Sequence, residues 1–171
     1  MATRSSLITL GLCQILVGEA SKAGTMPTEL SKIGKTYEDT CKMAQDAAEV
    51  TEHYEEGKSA PEVRKKKKKM PALTFSIMDA NVNDLIAYVG GENIGSETEP
   101  KWGYDGDEVV ANKAIKVETE QGLDFEIPNG DIEAVINADL SAKGIFLVEF
   151  TVTPMAVEAG KALRGVPKST T

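Results

Sequence analysis

Apolar and polar positions alternate along most of this chain with a period of two, the period of β-strands. From Leu7 to Val17, "LITLGLCQILV", the odd positions Leu7, Cys13, Ile15 and Val17 interleave with Ile8, Leu10, Leu12 and Leu16. Apolar residues in both phases predict a strand covered on both faces, at the centre of a sheet. Leu73, Phe75 and Ile77 form one face of a second strand. Strands follow at Val109 to Glu118, Leu123 to Ile127, Ile132 to Ala138 and Ile145 to Thr153, joined by "EQG", "PNG" and "SAKG". Those short turn signals predict an antiparallel meander. Helical spacing takes over only briefly: Asp79 is placed to cap, Val82, Leu85, Ile86 and Val89 fall on one face, and Gly90 and Gly91 stop the run. One short helix is predicted over about 80–90.

Three stretches fit less simply. Residues 18–36, "GEASKAGTMPTELSKIGK" followed by Thr36, form a long loop carrying Met26 and Pro27. Such loops are usually functional or reach a partner. Residues 40–57 fit a helix through Ala44, Ala47, Ala48, Thr51 and Tyr54, or a strand through Val50, Glu52 and Tyr54; the turn residues Gly57 to Pro61 favour a strand. A hairpin closed by that turn would set Tyr54 opposite Val63, His53 opposite Arg64, Glu52 opposite Lys65 and Glu49 opposite Lys68. From Pro154, "PMAVEAGKALRGVPKSTT" reads as a helical or irregular tail over 155–171 with a frayed Ser/Thr-rich end.

Charge changes the picture of the hairpin. The chain has 171 residues, enough for one core, and a net charge of −8. Residues 70–140 carry fifteen acidic and three basic side chains, whereas Arg64, Lys65, Lys66, Lys67, Lys68 and Lys69 are six basic residues in succession. An acidic protein with one basic run excludes a surface that grips nucleic acid as a whole. The run has three readings: a local nucleic-acid patch, a solvated edge whose lysines prevent unwanted pairing, or an arm that pairs with acidic surface on its own hairpin and on an adjacent copy. Parity favours the arm. In an unbroken strand Lys65, Lys67 and Lys69 would point the same way as Leu73, Phe75 and Ile77, so the chain must leave the core before Pro71, which cannot donate to a ladder. An arm over about 44–70 is therefore predicted to project.

Candidate chemistry is sparse. His53 is the single histidine and Cys13 and Cys41 are the only cysteines, so neither a metal set nor a catalytic triad can be assembled around histidine. The cysteines read as reduced residues of a cytosolic product, and the first apolar stretch is too short to span a bilayer. Asp105, Asp107 and Glu108 lack the spacing of a calcium-binding hand and read as a tight turn. The glycines at 90 and 91 follow a helix instead of preceding one, so they are a stop and not a phosphate cradle. Trp102 is either an interface anchor or core filling. No enzyme, cofactor or metal is expected.

The order of these parts resembles a known family. "LTFSIMD", the helix ending in "YVGG", and "IKVETEQGLDFEIPNGDIEAVINADLSAKGIFLVEFTVTPM", together with "ITLGLCQILVG" and "GTMPTELSKIGKTYEDT" at the front, resemble the major tail tube proteins of long-tailed bacteriophages, as carried in prophages of gut Bacteroidetes. The resemblance spans nearly the whole chain and rests on strands and turns. It implies a single mainly β (α+β) domain over 1–171: an antiparallel β-sandwich or half-open barrel with one flanking helix, similar in architecture to the type VI secretion tube protein. It also implies hexameric rings stacked into a DNA conduit, in contact with tail tip, tape-measure and terminator proteins, located in the virion after assembly in the host cytoplasm. On that reading Arg64 to Lys69, Glu49, Glu52, Tyr54, Met26, Pro27 and Trp102 are the candidate subunit-interface residues. A non-catalytic binding module for carbohydrate or peptide, using Trp102 and Tyr104, is the alternative.

Overall fold

The structure, a computed structural model, describes residues 6–168; Arg4 and the Ser/Thr-rich end from Ser169 lie outside the described residues. The alternating residues form strands because pairing into one large antiparallel sheet buries one phase of each. In chain order these are β1 (Leu10–Glu19), β2 (Ser31–Lys32), β3 (Lys42–Ala44), β4 (Glu49–Tyr54), β5 (Pro61–Lys67), β6 (Ala72–Ile77), β7 (Glu92–Asn93), β8 (Trp102–Gly103), β9 (Ala111–Gln121), β10 (Leu123–Ala138), β11 (Phe146–Pro154) and β12 (Arg164–Pro167). The main sheet runs β2-β1-β9-β10-β11-β6-β3, with β12 also on β10. The fold is mainly β and antiparallel, a sandwich-like half-open barrel with one short helix.

Leu73, Phe75 and Ile77 of β6, Ile115 and Val117 of β9, Ile127 and Ile132 of β10, and Val148, Phe150 and Val152 of β11 make up most of the core. At its centre the rings of Phe75 and Phe150 lie parallel with centroids 5.0 Å apart. The helix caps this cluster. Tyr88 meets Phe150 edge-on, 5.2 Å away at 71°, the favoured geometry for aromatic quadrupoles. The helix itself is one α turn, α1 (Val82–Asp84), continued by a π-helical turn over Leu85–Val89. Its cap is Asn81, not Asp79: the Asn81 side chain accepts from the Asp84 amide while the Asp84 carboxylate accepts from the Asn81 amide. Asp79 instead accepts the Lys35 amide at 2.7 Å and ties down the long loop.

Two β-bulges account for the larger departures from the sequence reading. In β1 the pairing with β9 shifts between Leu12 and Gln14, leaving Cys13 as an extra, exposed residue. The bulge reverses the parity of the strand, so Leu12 before it and Ile15 and Val17 after it all pack on the core. Both phases are apolar because the strand switches phase, not because it is central. In the sheet β1 has only the two-residue β2 beyond it, and Leu10 is 49% exposed. In β10 the pairing with β9 shifts between Ile127 and Gly130, so "PNG" is a bulge inside one bent strand and not a turn between two. The loop ends use it: the Pro128 carbonyl accepts from Ser21 and the Asn129 carbonyl from Met155, at 2.9 and 2.8 Å.

The tail is neither helical nor irregular throughout. Arg164 to Pro167 pair with Glu126 to Leu123, secured by an Arg164–Glu126 ion pair of 2.9 Å. The long loop also folds back. Ile33 is buried and its amide donates to Ile15 of β1, while Tyr37 donates to Ser76 and Met78 donates to Lys35, so residues 33–37 carry the chain from one end of the sheet to the other. A cavity of about 360 Å³ is lined by Leu10 and Leu12 of β1, Cys41 and Met43 at β3, and Leu73, Val117 and Phe125.

Candidate assembly surfaces

β4 and β5 form a separate two-stranded sheet, in agreement with the strand reading of residues 49–54. β3 and β6 pair as Lys42 with Thr74, and β4 and β5 pair as Glu49 with Lys67, seven residues further along both strands. The arm is thus the outer continuation of one long hairpin whose base is the edge of the main sheet. Between base and arm, Lys68 to Pro71 lie outside any strand. Pro71 interrupts the ladder because it has no amide hydrogen. Gln45 clamps this break by donating to the Lys69 carbonyl at 2.7 Å.

The register differs by one residue from the sequence expectation. Glu52 faces Arg64, His53 faces Val63 and Glu49 faces Lys67, because a bulge beside the turn absorbs Glu62 and leaves Tyr54 opposite Pro61. Opposite charges still meet across the ribbon. Arg64 and Glu52 are 3.1 Å apart, and the Tyr54 hydroxyl donates to the same carboxylate, a hydrogen bond that pushes the phenol pKa up. Lys65 to Lys69 are different: among the described residues none of them makes an ion pair. Every residue of β5 is exposed, and β4 is exposed except for the half-buried Glu52. A two-stranded ribbon without a core face is marginal in water, and exposed ion pairs add typically under about 1 kcal/mol each.

The other predicted interface residues lie elsewhere. Met26 and Pro27 are half-buried in the loop. Pro27 sits against Gly18, where a Cβ would come within 2.8 Å of its ring. Val17, Gly18, Pro27 and Leu30 line a shallow cavity beside them. Trp102 is half-buried and packs on the core edge; its indole nitrogen donates to the Gly90 carbonyl at 2.8 Å. Its ring stacks on Tyr104 at 5.2 Å and 14°. Gly91, with φ of +98°, lets the chain pass close beneath this pair, since a Cβ there would lie 2.3 Å from the Gly103 carbonyl. The arm, the loop and Trp102 are three separate surfaces and not one site. His53 is exposed on the arm. Burial pushes the Cys41 thiol pKa up.

No protein-family model matches the chain, and no curated protein matches it.

A fourth surface was not legible in the sequence. β9 pairs with β10 only as far as Ile132, whereas β11 continues along β10 to Ala138. Among the described residues the β9-side edge of Glu133 to Ala138 is therefore unpaired. Beside it Asp107 to Val110 lead into β9 and, with Tyr88, Tyr104 and Asp131 to Val135, form a groove of about 330 Å³. Val110 is 85% exposed, Val135 48%, and Leu140 beyond the strand 83%. The alternation of residues 132–138 marks a strand but does not say where its neighbour stops, so only the pairing reveals the open edge.

Proposed function

We propose that this protein is a structural subunit that assembles with copies of itself into closed rings, six to a ring as the family resemblance implies, stacked into the tail tube of a phage or prophage. The observation that carries the reading is the arm: a ribbon exposed at every residue but Glu52, continuous with the sheet edge, bearing a row of lysines that make no ion pair among the described residues. Such a ribbon gains order when a second molecule covers it. Among the described residues, the open strand edges on β10 and β3 fit the same reading. Edges of this kind are liabilities in a monomer and are used when neighbours pair with them.

The mechanism is geometric and electrostatic. Heterologous contacts related by a rotation that closes give rings, and stacking of rings gives a tube. With a net charge of −8 per copy, a lumen lined mainly by carboxylates would repel DNA phosphates and let the genome slide without specific binding. No catalysis is assigned; the partners are other copies and, at the ends, tail tip, tape-measure and terminator proteins. The binding-module alternative has a weaker basis, because Trp102 and Tyr104 cover one another's faces and the indole N–H is already spent on Gly90.

Sedimentation velocity over a concentration series tests the proposal. Large species are expected to grow in with concentration at about 0.1 M salt and to dissolve toward about 1 M, where the screening length falls from about 10 Å to about 3 Å. A single monomeric species at every concentration would contradict it.

A further inference from the structure

We infer that the arm of one copy docks along the open edge of β10 in the next copy, with β5 lying beside Glu133 to Ala138. The inference rests on the assembly reading above and names the surface that receives the arm. Shape comes first. The unpaired edge is six residues long, Glu133 to Ala138, and β5 is seven residues long, with one edge on β4 and the other without a partner among the described residues. An extended segment adds to such an edge by main-chain hydrogen bonds, and its alternate side chains fall into whatever flanks the edge.

What flanks this edge complements the arm in charge. The groove contains Asp107, Glu108, Asp131 and Glu133 and no basic residue. Among the described residues none of these four carboxylates makes an ion pair, just as none of Lys65 to Lys69 does. The arm's cross-strand register places Lys65 and Lys67 on the same face as Val63, which is 46% exposed. That face offers an apolar residue and two lysines; the groove offers Val110 and Val135 between carboxylates. Burying the lysine stems on the valines while the ammonium groups reach the acids would use both. Strand pairing would fix the register, and charge would exclude the reverse match of arm on arm, where like charges meet.

Carbodiimide coupling of assembled protein, which joins an amine to a carboxylate only when they are in contact, tests the inference directly. The sample would be an equal mixture of unlabelled and ¹⁵N-labelled full-length chains, mapped by mass spectrometry. Links from Lys65 to Lys69 onto Asp107, Glu108, Asp131 or Glu133 are expected, in mixed-isotope pairs. The Asp107→Lys/Glu133→Lys variant should lower that yield by about tenfold, the effect of about 1.4 kcal/mol of lost contact, and mixing it with a Lys65→Glu/Lys67→Glu variant should restore docking between the two. Assembled particles whose arm links elsewhere, or links only within one isotope, would overturn this docking while leaving assembly intact. Protein that neither assembles nor forms mixed-isotope links would overturn both.

Discussion

Replacing Lys65, Lys67 and Lys69 by glutamate is expected to abolish assembly while leaving the subunit folded. The triple substitution shifts the arm by six charge units, and all three side chains are exposed and outside the core. Far-ultraviolet circular dichroism and the thermal midpoint should stay close to those of the unaltered protein, because surface changes away from special contacts usually fall within about 0.5 kcal/mol. Within the ribbon the one new clash is at position 67, opposite Glu49, worth roughly 0.2–1 kcal/mol. Between copies the effect is larger, since carboxylates would then face the acidic groove. A Lys65→Gln/Lys67→Gln/Lys69→Gln variant separates the two causes: loss of attraction alone should weaken sedimenting assemblies, and reversal should remove them. Assembly that is unchanged in the reversed variant would reduce the run to a solvated edge.

The second large effect is on stability. Phe150→Ala is expected to cost about 3–5 kcal/mol, a large part of the roughly 5–15 kcal/mol available to an ordinary domain. Phe150 is 1% exposed, lies parallel to the ring of Phe75 and meets the ring of Tyr88 edge-on. Its removal opens a cavity where β11, β6 and the helical turn meet. A urea titration should show the midpoint falling steeply with little change in slope. A loss below about 1 kcal/mol would mean that the ring stack is not the centre of the core. The exposed Val135 provides the contrast: Val135→Ala should leave the midpoint almost unmoved.

How much of this was readable from sequence depends on whether a feature is local. Leu73, Phe75 and Ile77 announce their strand by alternation, and Pro71 with the preceding lysines announces that the chain leaves the core there. Both signals lie within ten residues. The bulges at Cys13 and at Pro128 to Gly130 were hidden for a definite reason: a bulge makes two apolar phases look like a strand buried on both faces, and a Pro-Asn-Gly sequence supplies the same residues for a bulge as for a turn. The one-residue error in the arm came from Glu62, which alternation cannot distinguish from a paired residue. Asn81 was passed over for Asp79 because both can cap, and only the reciprocal bonds with Asp84 decide between them. β12 carries too few apolar residues to stand out from a tail. Of the candidate assembly surfaces, the arm was visible as composition; the open edge of β10 was not, because it exists only where β9 stops pairing at Ile132.

On the proposed function, copies of this subunit close into hollow rings. Electron microscopy of the concentrated protein at low salt tests it most directly. Annular particles of uniform size with a central opening, alone or stacked end to end, are the predicted result. Fields containing only small compact particles at every concentration, or solid filaments without a lumen, would contradict it.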